Sequence, residues 1–442
     1  MTCMPQHRSP PGVGIDRFGT HHGTDNPAAL AAFGDATEGI AAYRRETMPA
    51  IEQAIAADPS MLAAHALKGL LLLLAARAEA LQAARVISRD LPAVPGTEDE
   101  TTLCAALHAG LGRGPLAAAA VLEVRLERRP DLLLLFVKLA TMLRFMGGDA
   151  AGMRATTTRV MPAWSPALPG YGYVLGCHAF ALEEAGEYPA AERAGRLAVE
   201  MAPHDAWAVH AVAHVHEMTH RPADGEAWIE ARRGGWQVCN NFGYHLSWHL
   251  ALFHLDQGRA DRVLEVYDTE IRPDRSDDTR DYTNAVAMLW RLRQHGVDVG
   301  PRWTELAEIA RVRRHETTWV FAALHRLLAL AACGDTGGAR DVAAALTAAA
   351  AGHDEQAHVA ARVGARLAAA LLAAAEPGST APLGGLTEHL SLLGGSHAQR
   401  DLFVRSLALL AERRGERAAL ADLLAARRRL KRDDRFLDLL AA

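Results

Sequence analysis

Gly176–Asp205 reads GCHAFALEEAGEYPAAERAGRLAVEMAPHD, and this stretch decides the fold. A small residue, Ala179, is followed by Gly186, Tyr188, Ala191, Ala198 and Pro203. Apolar and small positions three and four apart on either side of Gly186 predict two helices joined by a tight turn. The alanines let the helices approach closely. Gly186 can take a turn conformation that a side chain disfavours, and Pro203 cannot continue the second helix.

The same punctuation recurs outward from this unit. Asp58-Pro59, Arg129-Pro130, Ala202-Pro203 and Arg272-Pro273 each close a helical run, at intervals of 71, 73 and 70 residues. Each interval is close to two units of about 34 residues, the double period of tetratricopeptide-type helix pairs. Strand signals are almost absent. The predicted fold class is all-α: a curved α-solenoid of tetratricopeptide-like helix pairs with an irregular helical C-terminal region.

Residues 1–15, which include Pro5, Pro10 and Pro11, are expected to be a disordered N-terminus. Residues 16–300 are expected to form the solenoid, and 301–442 to continue or cap it. Six to eight helix pairs fit between about Asp35 and Gln294. In the less regular units Gly147 and Gly258 hold the turn position. From Trp303 onward Ala-rich helices run without clear period. RRRLKRDDR (Arg427–Arg435) mixes both signs and reads as a solvated helix face.

Composition narrows the function classes. Half of the 442 residues are apolar and the net charge is −5, which gives no reason to expect nucleic acid or an anionic membrane as partner. Five scattered cysteines with no C-x-x-C spacing argue against a disulfide framework and for a reducing compartment. The N-terminus lacks the apolar core of a signal peptide. Runs such as Leu70–Ala76 and Leu367–Ala375 fall short of the roughly 20 residues of a membrane span. The expectation is a soluble cytoplasmic protein. Lys68, Lys138 and Lys431 are the only lysines in an arginine-rich chain.

Chemistry concentrates in DAWAVHAVAHVHEM (Asp205–Met218) and NNFGYHLSWHLALFHLDQG (Asn240–Gly258). At about 100° per residue, Trp207, His210, His214 and Glu217 fall in one stripe of a single helix. In this repeat class that stripe lines the concave groove. The preceding helix presents Tyr173, Phe180, Glu183 and Glu184. The following one presents His245 and Trp248, with His249 one turn from His245. The expected ligand-binding set is therefore Glu183, Glu184, Trp207, His210, His214, Glu217, His245, Trp248 and His249. Imidazoles, carboxylates and indoles together suit a specific polar ligand. The competing reading is structural: His210–Glu217 or His214–Glu184 pairs could simply lock neighbouring repeats together.

Two metal patterns compete with the ligand reading. His216-Glu217-Met218-Thr219-His220 spells H-E-x-x-H, the zincin motif. Arg221-Pro222 follows at once, no third ligand stands at the expected spacing, and His216 points away from the stripe. His210-x-x-x-His214 and His245-x-x-x-His249 each have i,i+4 ligand spacing, and Glu183, Glu184 or Glu217 could complete a two-histidine, one-carboxylate set. Packing of neutral imidazoles against tryptophan would look identical. No metal ligand, cofactor or catalytic residue is assigned. Ser396 reads as an N-cap, with Arg400 and Asp401 as a structural pair or Arg400 as an anion clamp on the groove. His65, Lys68, His108 and His325 read as structural.

The stretches LEEAGEYPAAE, DAWAVHAVAHVHEM, HLSWHLALFHLDQGR and YDTEIRP resemble the tetratricopeptide repeat protein 38 family. AAHALKGLLLLL (Ala63–Leu74), MLWRL (Met288–Leu292) and GGSHAQRDLF (Gly394–Phe403) extend the resemblance over most of the chain. It implies an α-helical repeat protein and carries over no settled activity. The expected function is binding of a small polar molecule, or a peptide or protein segment, in the His/Glu/Trp-lined concave pocket. The alternative is a small-molecule enzyme using that pocket for acid–base or metal-assisted chemistry. No nucleic acid and no membrane are expected as partners.

Overall fold

A computed structural model describes residues 12–441 except 132, 376–380 and 433. Helices follow one another in pairs: α1 (Pro27–Ala41) with α2 (Thr47–Ala57), α3 (Leu62–Leu74) with α4 (Ala78–Arg89), and α5 (Glu98–Arg113) with α6 (Pro115–Arg128). Next come α7 (Leu134–Met146) with α8 (Ala150–Val160), α9 (Tyr171–Glu184) with α10 (Tyr188–Met201), and α11 (Ala206–Met218) with α12 (Pro222–Glu230). A short α13 (Arg233–Trp236) precedes α14 (Phe242–Asp256), α15 (Ala260–Val266) and α16 (Thr279–Gln294). The C-terminal third holds α17 (Trp303–Val312), α18 (Val320–Ala332), α19 (Thr336–Ala349), α20 (Glu355–Val359), α21 (Ala365–Ala375), α22 (His397–Arg413), α23 (Arg417–Arg428) and α24 (Asp438–Ala441).

The unit α9–α10 forms as its sequence dictates. Ala179, Ala191 and Ala198 are fully buried between the helices, and Gly186 turns the chain at φ +80°. A Cβ on Gly195 would stand 2.5 Å from Val212 Cγ2, so α10 and α11 approach as closely as they do only over a glycine. The repeat prolines fall one or two residues beyond the ends of α2, α6 and α10. At the α7–α8 turn the left-handed position belongs to Gly148 (φ +72°), one residue after the expected Gly147, which caps α7 at φ −80°.

First helices of successive pairs stack into an inner layer: α7 on α9, α9 on α11, α11 on α14, α14 on α16 and α16 on α18. The inner face of that layer is covered. α1 lies against α7, and α22 reaches back to α11 and α16. N- and C-terminal helices also meet directly, through Arg77–Asp277 at 2.8 Å, Glu316 accepting from the Ala78 amide at 2.8 Å, and Glu355 accepting from the Leu116 amide at 3.1 Å. The array is closed on itself.

Of the N-terminus expected to be disordered, residues 1–11 lie outside the described residues. Gly14–Ile15 instead pair antiparallel with His21–His22. Glu355–Ala374 forms a continuous helical segment with the length and mean hydropathy (1.3) of a membrane span. More than half of it is buried against the neighbouring helices, as in a core helix.

Candidate functional site

Two inner-layer helices carry the site. α11 starts at Asp205, whose carboxylate accepts from the Trp207 amide at 3.0 Å, and every residue from Ala206 to Met218 is buried. α14 starts beside Asn240, whose Oδ1 accepts from the Phe242 amide at 2.9 Å. Histidines four apart on a helix lie one above the other on one face. Each helix therefore offers a pair, His210/His214 and His245/His249, and the two pairs face each other.

His210 Nε2 lies 2.9 Å from His214 Nε2 and 2.9 Å from His245 Nε2. The His249 ring centre is 4.4 Å from that of His214 and 4.9 Å from that of His245. One nitrogen from each of the four rings lies within 4.8 Å of the others. These four residues are the ones that could hold a metal ion; Glu183, Glu184 and His214 form a second, overlapping group. Burial pushes His210, His214 and His249 well below the ordinary histidine value, helped for His210 by its imidazole neighbours. Burial also takes His245 down to about 4 against the pull of Asn284. All four rings are neutral at pH 7, with lone pairs available.

Aromatic rings wall the cluster. Trp248 stacks on His245 (5.3 Å, 12°), Phe180 stacks on His210 (5.2 Å, 27°), and Trp207 tilts against His210 at 4.9 Å. The outer nitrogens are held unequally. His245 Nδ1 donates to Asn284 Oδ1 at 3.0 Å, and His214 Nδ1 faces Glu183 Oε2 at 3.5 Å. Neither nitrogen of His249 and neither oxygen of Glu183 has a hydrogen-bond partner among the described residues. Burial, then the neighbouring Glu184 charge, pushes the Glu183 carboxyl well above the usual range.

All nine expected residues are buried around this centre, but the carboxylates divide. Glu184 accepts from the His397 amide at 2.9 Å and from Arg400 at 3.3 Å. Glu217 pairs with Lys431, which also meets Asp434 at 3.0 Å. The anticipated His210–Glu217 and His214–Glu184 pairs are thus replaced by others: His214 faces Glu183. Asp401 does not hold Arg400; it pairs with Arg427 at 2.7 Å. That pairing also corrects the reading of Arg427–Arg435 as a solvated face, since Arg427, Lys431 and Asp434 are buried. Tyr173 stands away from the histidines, in a cavity shared with Glu38 and Arg44.

The zincin spelling has no zincin geometry. α11 ends at Met218, and His220 lies beyond it at φ +52°, facing Asp256 at 3.8 Å. His216 faces Trp228, and Glu217 is taken by Lys431. The isolated polar residues take local partners: His65, His108 and His325 bond to carbonyls within six residues, and Lys68 pairs with Glu52.

Four contributors escaped the sequence reading. Tyr43, in the α1–α2 turn at φ +57°, stacks on Trp207 and Phe242. The Lys138 ammonium is buried over the Tyr43 and Trp207 rings at 4.5 and 4.9 Å. Asn284 and Lys431 complete the set. Two of the chain's three lysines border the site, and their rarity was the one available signal.

No family model matches the chain. A solved structure titled "Structure of Naa15/Naa10 bound to HypK-THB" is similar at 13% identity, covering 93% of this chain, with a TM-score of 0.25. The match spans 64% of that chain's length. The class of protein, an all-α helical-repeat array closed around a buried imidazole cluster, rests on the chain's own helix pairs.

Proposed function

We propose that this protein is a closed helical-repeat scaffold whose interior His/Glu/Trp cluster binds a small polar ligand. The observation that carries this reading is the concentration of unsatisfied polar atoms at one place: both oxygens of Glu183, both nitrogens of His249, and Nδ1 of His210 and His214. A buried polar group without a partner costs about 1–3 kcal/mol, and such groups are scarce in folded proteins. A ligand that supplies the partners removes the cost. One nitrogen of each ring lies within 4.8 Å of the others, a spacing at which all four could share one ion.

A peptide in the concave groove is disfavoured, because α1, α22 and the Lys431 segment occupy that face. The enzyme alternative would need an approach for substrate. A cavity of about 190 Å³ lined by Met218, His397, Arg400 and Lys431 comes up to the partners of Glu184 and Glu217, but His210, His214, His245 and His249 do not line it. Membership of the tetratricopeptide repeat protein 38 family is part of this proposal, supported by the wording of the helices that carry the site. A cytoplasmic location fits the four described cysteines, which are free thiols.

The test is mass spectrometry of the untagged protein under native and denaturing conditions. A mass lost on denaturation, and absent from His210→Ala and His214→Ala chains that keep their helical signal, is the expected result. The same mass on both variants would place the ligand elsewhere.

A further inference from the structure

We infer that the ligand is a single divalent transition-metal ion held by the two histidine pairs His210/His214 and His245/His249. This deepens the reading above and rests on it. His245 Nδ1 donates to Asn284 Oδ1 at 3.0 Å, so its Nε2 carries a lone pair. His214 Nδ1 faces the Glu183 carboxyl at 3.5 Å without a hydrogen bond, so either of its ring nitrogens can carry the proton. His245 and His214 each bring Nε2 to 2.9 Å from His210 Nε2. One His210 Nε2–H can be aimed along only one of those two lines. The other 2.9 Å contact is left without a matched donor and acceptor in a dry interior. A cation among the rings removes that conflict at once, because every lone pair becomes a ligand.

The dimensions agree. Tetrahedral zinc–imidazole bonds of about 2.0–2.1 Å place neighbouring ligand nitrogens about 3.3–3.4 Å apart. The two 2.9 Å contacts and the 4.8 Å outer limit bracket that spacing. His249 fits as the fourth donor, being fully buried with neither ring nitrogen engaged. The outer contacts follow the pattern of metal sites, in which a ligating histidine gives its other N–H to a carboxylate or amide oxygen that fixes tautomer and ring orientation. Glu183 and Asn284 take those positions on two different helices, α9 and α16. Glu183 has no other partner among the described residues.

The donor set names the class of ion. Four neutral imidazoles without thiolate suit cobalt, nickel, copper or zinc, whereas magnesium and calcium require oxygen ligands. With four protein donors and aromatic walls the site is closed, as in structural rather than hydrolytic centres. The ion would join α11 to α14, the two inner-layer helices in contact across the cluster.

The test uses full-length protein purified without an affinity tag. Elemental analysis should find about one transition-metal atom per chain. Chelator-stripped protein should take up one cobalt(II), with a visible absorption band of nitrogen coordination. His249→Ala should weaken uptake at least about 100-fold with its far-ultraviolet circular dichroism intact. Glu183→Gln, which preserves shape, should weaken it about 10–100-fold. His254→Ala, a buried histidine outside the cluster, should leave uptake unchanged. Cobalt binding unaffected by His249→Ala and His210→Ala would overturn the inference. So would a bound species that native mass spectrometry shows to be organic or ammonium; the interior-ligand reading would then stand. Absence of any bound species, together with no uptake of cobalt, nickel, copper or zinc, would end both.

Discussion

Two buried polar clusters lie within a helical turn of each other on α11, and they are built in opposite ways. At the end of α11, Glu217 meets Lys431, which meets Asp434, which meets Arg427 at 2.6 Å, which meets Asp401 at 2.7 Å. Charges alternate along the chain of contacts, and Glu217 Oε2 and Arg427 Nη1 are the atoms left without a hydrogen bond among the described residues. One turn earlier, His214 belongs to a group in which Glu183, His249 and the outer nitrogens of His210 go unanswered. A network whose task is to hold helices together satisfies itself, because an unpaired buried charge is costly. A group that leaves several polar atoms open at one point is arranged for something that arrives from outside.

The contrast predicts different responses to damage. The largest effect should come from Lys431→Met. It strips Glu217 of its cation inside the protein, and breaking a buried pair on one side costs about 3–5 kcal/mol. Urea denaturation should show that loss whether or not ligand is present. A change under about 1 kcal/mol would mean that the network is not structural.

The histidine side should respond only through its ligand. His210→Ala in stripped protein should melt within a few degrees of the parent, since it removes an unsatisfied group along with its packing. Ligand at 100 times its Kd should stabilise the parent by about 2.7 kcal/mol and the variant not at all. Equal stabilisation of both, read from paired thermal melts, would erase the contrast.

Acid sharpens the comparison on the network side. Asp401 and Asp434 are buried, which alone would raise them, but Arg427 and Lys431 outweigh burial and hold both below the usual carboxylate range. A depressed carboxylate stabilises the fold above its unfolded value, near 3.8 here, and that contribution is lost as pH falls through the folded value. The Lys431→Met deficit should therefore shrink as pH falls from 8, first as Glu217, pushed up by burial and now without its cation, takes a proton, and again in stronger acid as Asp401 and Asp434 do. Denaturation curves across that range check it. The smallest effect belongs to His216→Gln. The residue shares α11 but faces Trp228, so ligand binding should be unchanged if the zincin spelling is accidental.

Local pattern made one half of this legible. The proline period, the Ala179–Gly186–Ala191 signature and the i,i+4 histidines all act within one or two turns of helix, and the structure keeps them. The stripes of α9, α11 and α14 converge because stacking of first helices follows from the repeat itself. What escaped depends on partners far along the chain. Tyr43 meets Trp207, and Lys431 meets Glu217, across spans for which no periodicity exists. Hence the concave face looked open in the sequence and is closed in the structure. The charged run Arg427–Arg435 looked solvated for the same reason: its counter-charges, Asp401 and Glu217, lie on other helices. Asn284 shows the limit most sharply, since nothing near it in sequence marks it as the support for His245.

The central claim is that the four imidazoles surround a bound atom. It is tested most directly by X-ray diffraction from crystals of the untagged, as-isolated protein, recorded on both sides of the absorption edges of cobalt, nickel, copper and zinc. The account predicts one anomalous peak among His210, His214, His245 and His249, about 2.0–2.2 Å from the nitrogen of each. Four rings bonded to one another or to water, with no anomalous peak between them, would contradict it.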